Sequence, residues 1–222
     1  MYRTLILLTL VTSVSAADIL DCGDPFANGV GPWDYRDPEA RKNPHKIPIV
    51  EKHHFTSKVE RLVGGEANVV DLGGDIDYVL RAVPNHHRAL YAISRYELER
   101  GRLSRKWRTV ECYFERAMRF RPDDAVVRMI FGIHLAMRGK HDAAIKAYEQ
   151  VTMAMPRAPE LYYNLGLALL EVGKPREASE AARVAYEGGY PLQGLDRKLK
   201  KLGFDWRTAE EYRAVDPGLA SD

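Results

Sequence analysis

Two histidine pairs, His53-His54 and His86-His87, are the residues whose type most suggests chemistry. Imidazole nitrogens bind zinc and haem iron, so the pairs raise a metal- or haem-handling function. Spacing argues the other way. Neighbouring residues on a helix point about 100° apart, whereas helical zinc sites favour ligands at i and i+4. The competing reading is capping and packing, with Asn85 capping the helix that begins at His86. No CxxCH is present, which excludes covalent haem attachment on motif grounds. Asp75 and Asp77 in GGDID read as a cap plus an exposed residue. Asp123-Asp124 open a further helix, where negative charge is favourable. GxSxG, HExxH and P-loop motifs are all missing. These observations assign no catalytic residue, metal or cofactor, and the expectation is a protein that is not an enzyme.

The remaining reactive residues are Cys22 and Cys112. In an oxidising compartment an even pair is a candidate disulfide; the alternative is two free thiols. The first residues bear on the compartment. Arg3 precedes the apolar run TLILLTLVTSV, and small residues follow at Val14-Ser15-Ala16. This is the pattern of a secretory signal peptide over 1–16, with cleavage near Ala16. The run is shorter than the roughly 20 residues of a spanning helix. The expected location is therefore the periplasm or the exterior, with no stable membrane insertion after cleavage.

Composition narrows the partner class. Lys and Arg total 33 against 31 Asp and Glu, so no concentrated basic character points to nucleic acid. What positions the side chains is a repeat. FGIHLAMRGKHDAAIKAYEQVTMAMP at 131–156 returns 34 residues later as LGLALLEVGKPREASEAARVAYEGGYP. A period of this length indicates a helix–turn–helix unit stacked on copies of itself. Apolar spacing and prolines just past helix ends predict helices at about 86–100, 107–120, 124–138, 141–154, 158–172 and 175–187. The turn at 103–107 is lengthened, and a last helix at about 191–201 covers the end of the array. Upstream, a short helix is expected within 49–63 and another at 74–83. Residues 18–48 combine turn dipeptides with Phe26, Trp33 and Tyr35, which suits an ordered, irregular arm laid on the helices.

In the middle repeat Phe131, Gly132, Leu135, Ala144, Tyr148, Val151 and Pro156 fall at the tetratricopeptide signature positions. In the last repeat these are Tyr162, Leu165, Gly166, Leu169, Ala178, Ala182 and Ala185. Residues 85–191 therefore resemble tetratricopeptide repeats, and the N-terminal half resembles exported bacterial proteins of that kind with no established activity. The resemblance implies an all-α fold: a right-handed superhelix of about three helix pairs, with an irregular N-terminal arm and a C-terminal capping helix. It also implies a concave groove lined by the first helix of each pair. The groove residues are Arg88, Tyr91 and Arg95, then Met129, Ile133 and Met137, then Tyr163, Asn164 and Leu167. Asn164 stands where carboxylate-clamp members hold a peptide backbone. Tyr163 and Leu167 occupy the clamp's Lys and second Asn positions, so the clamp is incomplete.

The resulting organisation is a signal peptide at 1–16, an arm and partial repeat at 17–84, an array with its cap at 85–205 and a tail at 206–222. The expected function is a scaffold or adaptor in the bacterial envelope, binding a peptide or helix in the groove. The alternative is a metal- or haem-handling protein using His53, His54, His86 and His87. Whether the groove is open or filled by the chain's own arm is left undecided by the sequence.

Overall fold

The computed structural model describes residues 22–63, 72–101 and 106–207. The expected signal peptide, the tail beyond Arg207 and most of the lengthened turn lie outside the described residues. Those residues form eleven helices and no strand, an all-α solenoid.

The arm begins at Cys22, whose sulfur is bonded to Cys112 at 1.98 Å across 90 residues of sequence. It passes Phe120, with the Phe26 ring centroid 5.4 Å away. It then meets the end of α4 (Leu72–Ala82), where the Trp33 amide donates to the Ala82 carbonyl at 3.0 Å. Gly31, at φ 81°, makes this approach possible, because a β-carbon there would run into the Ala82 carbonyl. Three short helices follow: α1 (Pro38–Lys42), α2 (Ile47–His54) and α3 (Ser57–Glu60). The first was not anticipated. Asp37 caps it, accepting from the Glu39 amide at 2.9 Å, and Pro38 opens it. The single helix expected within 49–63 is two, broken at Phe55. The break turns the Phe55 ring onto His86, 4.9 Å between centroids, while Val59 and Leu62 still reach the core.

Three antiparallel pairs make the array: α5 (His87–Arg100) with α6 (Val110–Phe120), α7 (Ala125–Met137) with α8 (His141–Glu149), and α9 (Pro159–Glu171) with α10 (Pro175–Glu187). Helix α8 ends five residues earlier than the periodicity predicts, at a turn in which Thr152 donates to the Glu149 carbonyl. Small residues let the helices approach. A β-carbon on Gly132 would strike the Tyr148 ring. In the last repeat Ala182 stands where the middle repeat has Tyr148. The space is filled by Leu195 from the cap, α11 (Gly194–Lys201), whose Cδ2 lies 2.6 Å from a β-carbon built on Gly166. Leu195 and Leu199 are fully buried there. The cap thus supplies the apolar face that a next repeat would have supplied.

The core has two parts that meet at α7. One gathers Tyr35, α2, α4, α5 and α6 around Val127 and Ile130. The other runs from Met129 through α8, α9 and α10 to Leu199.

Candidate functional site

The first helices of the three pairs lie side by side and form the concave face. Two adjoining cavities, of about 450 Å³ and 420 Å³, run along it. Arg88, Tyr91, Arg95, Met129 and Ile133 line the first; Ile133, Met137, Tyr163, Asn164 and Leu167 line the second. All nine residues expected at the groove face it, and Ile133 joins its two halves. Two of them sit deeper than the periodicity suggested: Met129 is 5% exposed and Tyr163 7%. They are as much core as surface, so Ile133 and Leu167, both half-buried, are the better probes of binding.

The floor is apolar and the charges along the walls are largely neutralised from within. Arg88 pairs with Glu60 of α3 and lies 3.7 Å from Glu51 of α2. Arg95 pairs with Glu99 at 2.7 Å, and Lys198 of α11 with Glu171 at 2.6 Å. Asn164 donates to the Glu160 carbonyl within its own helix at 2.8 Å. Sequence reasoning missed both ends of the groove: Glu60 of α3 and Arg61 just after it line one, and Gly194 and Lys198 of α11 line the other. No repeat signature marks either element.

The described part of the arm, residues 22–48, does not lie among the groove-lining residues. Its aromatic anchors engage the edge where α4 meets α5. Tyr35 stacks on His86, 4.2 Å between centroids, and its amide donates to the Asn85 Oδ1 at 2.9 Å. Asn85 also donates to Asp34 at 2.7 Å and to Asp124 at 2.8 Å. It does not cap α5. That role falls to His86, whose Nδ1 accepts from the Ala89 amide at 3.2 Å. Arg36 extends the latch to Asp34 and Asp123, each at 2.9 Å. Arg36, Asn85 and Arg121, which lies 2.6 Å from Asp34, hold the Asp34 carboxyl below the ordinary carboxylate range despite its desolvation.

The histidines of the two pairs do not converge on one point: each partnered ring meets a different carboxylate. His54 Nδ1 is 3.0 Å from Asp75, His86 Nε2 is 3.0 Å from Glu51, and His87 Nε2 is 2.9 Å from Asp124, while His53 is exposed. Among the described residues no group of three or more His, Cys, Asp or Glu could hold a metal ion. Burial pushes the His86 imidazole below its ordinary value against the pull of Glu51. This agrees with its geometry, since Nδ1 can accept from an amide only when unprotonated. The expectation for Asp75 and Asp77 fails. Both are buried, because α4 is covered on several sides by α2, α3 and α5. Asp77 accepts from the Tyr113 hydroxyl at 2.7 Å and from Arg81 at 2.8 Å. Asp123-Asp124 stand at the start of α7 as expected, and Asp124 caps it, accepting from the Val127 amide at 3.3 Å.

Comparison with known proteins agrees with this geometry. Residues 135–173 match a family model described as TPR repeat. Similar curated proteins include two named peroxisomal targeting signal receptor, from Candida albicans and from Eremothecium gossypii. Each is 33% identical over 73 residues, a third of this chain. The chain spans only about an eighth of those relatives' length, 12% and 13% respectively. No solved structure gives a significant match. Residues 135–173 thus carry a tetratricopeptide repeat match, and the described residues form an all-α solenoid of helix pairs.

Proposed function

We propose that this protein captures a peptide or helix of a partner in the groove formed by α5, α7 and α9, and that it works in an oxidising, extracytoplasmic setting such as the bacterial envelope. The observation that carries the binding reading is the continuous apolar floor of Val126, Ile133, Met137 and Leu167. This floor is open along two cavities, neither of which is lined by the described part of the arm, residues 22–48. An apolar concavity of this kind is how repeat proteins receive extended or helical segments. The name of the similar fungal proteins, receptors of a targeting signal, supports a peptide as the occupant. The setting is supported by the Cys22–Cys112 disulfide, a bond characteristic of oxidising compartments, and by the leader-like run at 1–16. Among the described residues no helix is long and apolar enough to cross a membrane.

The test is capture from extract of the source organism by three chains: wild type, Ile133→Arg, and Lys146→Glu on the exposed face of α8. A partner bound through the groove is lost with Ile133→Arg and kept with Lys146→Glu. Capture that survives Ile133→Arg removes the groove from the function.

A further inference from the structure

We propose that the first turn of α5 is a proton-operated latch: protonation of His86 withdraws the cap of α5, frees the seat of the arm's Tyr35 and loosens the wall of the first cavity. The proposal goes beyond the binding reading and does not depend on what the groove holds.

Both ring nitrogens of His86 are engaged, and their roles fix where its proton sits. Nδ1 accepts from the Ala89 amide at 3.2 Å, so it carries no hydrogen. The proton is on Nε2, which donates to Glu51 of α2 at 3.0 Å. The ring is fully buried between Tyr35 of the arm, 4.2 Å between centroids, and Phe55, 4.9 Å away. A second proton can enter only at Nδ1. There it turns an acceptor into a donor aimed at another donor, and the packed rings leave the imidazole no room to swing aside. The neighbouring helices use caps without this weakness. Thr109 caps α6 with a hydroxyl, and Asp124 caps α7 with a carboxylate held below its ordinary pKa.

The charged groups around the ring set the pH window. Glu51 faces it from α2 and is shared with Arg88, 3.7 Å away, while Glu60 of α3 engages the same guanidinium. His87 follows on α5 and holds Asp124 of α7 at 2.9 Å. Arg41 of α1 lies over the Tyr35 ring, 5.1 Å from its centroid. Burial above all, with the charges of Arg88 and His87, holds His86 below its ordinary value of 6.5 against the pull of Glu51. The hydrogen bond from His86 in turn keeps Glu51 below its ordinary 4.5. Between those two values Glu51 stays ionised while His86 takes up its proton. The turn that depends on this cap reaches both the arm and the groove. The Leu90 amide donates to the His86 carbonyl at 2.9 Å, His87 and Arg88 line the first cavity, and Tyr35 rests on the His86 ring.

The experiment is amide hydrogen exchange by nuclear magnetic resonance on the full oxidised chain. Protection factors are followed from about pH 7.5, a unit above the free imidazole value, down to 4.5, with the His86 ring nitrogens observed in the same samples. At the upper end His86 is expected neutral, with its hydrogen on Nε2. As the ring gains its second proton, protection of the Ala89 amide should fall about tenfold, the size of one lost cap, and that of the Tyr35 amide should fall with it. The Val127 and Cys112 amides, bonded to Asp124 and Thr109, should hold. His86→Asn, whose side chain accepts at every pH, should keep Ala89 protected throughout. His87→Gln, which can still donate to Asp124, should leave the fall in place. In the wild type alone, a ring that stays neutral down to pH 4.5, or one that titrates with no loss at Ala89, overturns the latch. An equal fall at Val127 and Cys112, or a fall that persists in His86→Asn, overturns it as well.

Discussion

The two halves of the array solve the same packing problem by different means. In the C-terminal half, α7 to α11, helices approach through glycine and alanine, and the buried residues are mostly apolar, with His134, Ser179 and Asp196 the polar ones among the described residues. In the N-terminal half the repeat pattern is weaker. There the structure relies on a disulfide, on Asn85 joining three segments, and on the buried charges Asp75, Asp77, Arg116 and Asp124. Arg116 shows the contrast most clearly. It is 1% exposed, and burial lowers its pKa; it donates to the Asp24 carbonyl at 2.8 Å and the Cys22 carbonyl at 3.3 Å. A guanidinium that binds arm backbone does there what interlocking side chains do in the other half. Repeat packing is general and tolerates sequence drift. Directional polar contacts fix one arm in one place, but fail together if a member is lost.

The strongest way to break this contrast is to remove the cross-link. Closing a loop of 90 residues contributes about 4 kcal/mol by chain entropy. Cys22→Ala with Cys112→Ala should therefore lower stability by an amount of that order in denaturant titration. Hydrogen exchange should then show the loss concentrated in residues 22–120, with α9 and α10 still protected. Equal loss in both halves would mean that they form one cooperative unit. Asn85→Ala follows at about 3 kcal/mol, since it orphans the Tyr35 amide and leaves Asp34 and Asp124 short of a donor. The C-terminal counterpart is Gly132→Val, which drives a side chain into the Tyr148 ring and should cost about 2 kcal/mol; a melt that does not fall would refute the close approach of α7 and α8.

Acid should weaken both halves, through one buried histidine in each. His86 and His134 are buried, and desolvation holds both below the ordinary imidazole value of 6.5. The unfolded chain therefore binds more protons than the folded one as pH falls below that value, and stability is lost through that window. Glu51 is held low by its hydrogen bond from His86, and Asp124 by His87 and Asn85 against its desolvation. Their contributions persist above the ordinary carboxylate range and disappear only further down. The denaturation midpoint should fall between pH 7 and pH 5, and His86→Asn, which can still cap α5, should reduce the drop. An unchanged slope in that variant would assign the effect elsewhere. The smallest stability change is expected for Ile133→Arg, about 0.5 kcal/mol for a half-buried groove position, even though it is expected to remove binding.

The repeat was legible because its cause is local and periodic. Gly132, Ala144, Gly166 and Ala178 recur at 34 residues because helix pairs must approach at fixed intervals, and the resemblance to tetratricopeptide repeats implied the nine groove residues. The ends of the groove were not legible. Glu60 and Lys198 come from helices outside the period, brought in by contacts remote in sequence. The aspartates of α4 were misread because amphipathic spacing describes one buried face, while α4 is enclosed on several.

By itself, the sequence determined the helix pairs, their order, the capping helix and which faces turn inward, since periodicity and proline placement act within one or two turns of chain. The tertiary structure alone decided the course of the arm. Trp33 and Tyr35 were aromatic anchors in either case; whether they filled the groove or gripped the edge of α4 and α5 depended on hydrogen bonds to Ala82 and Asn85 and on a disulfide reaching across the fold. Such pairings carry no period, and only the folded chain brings their partners together.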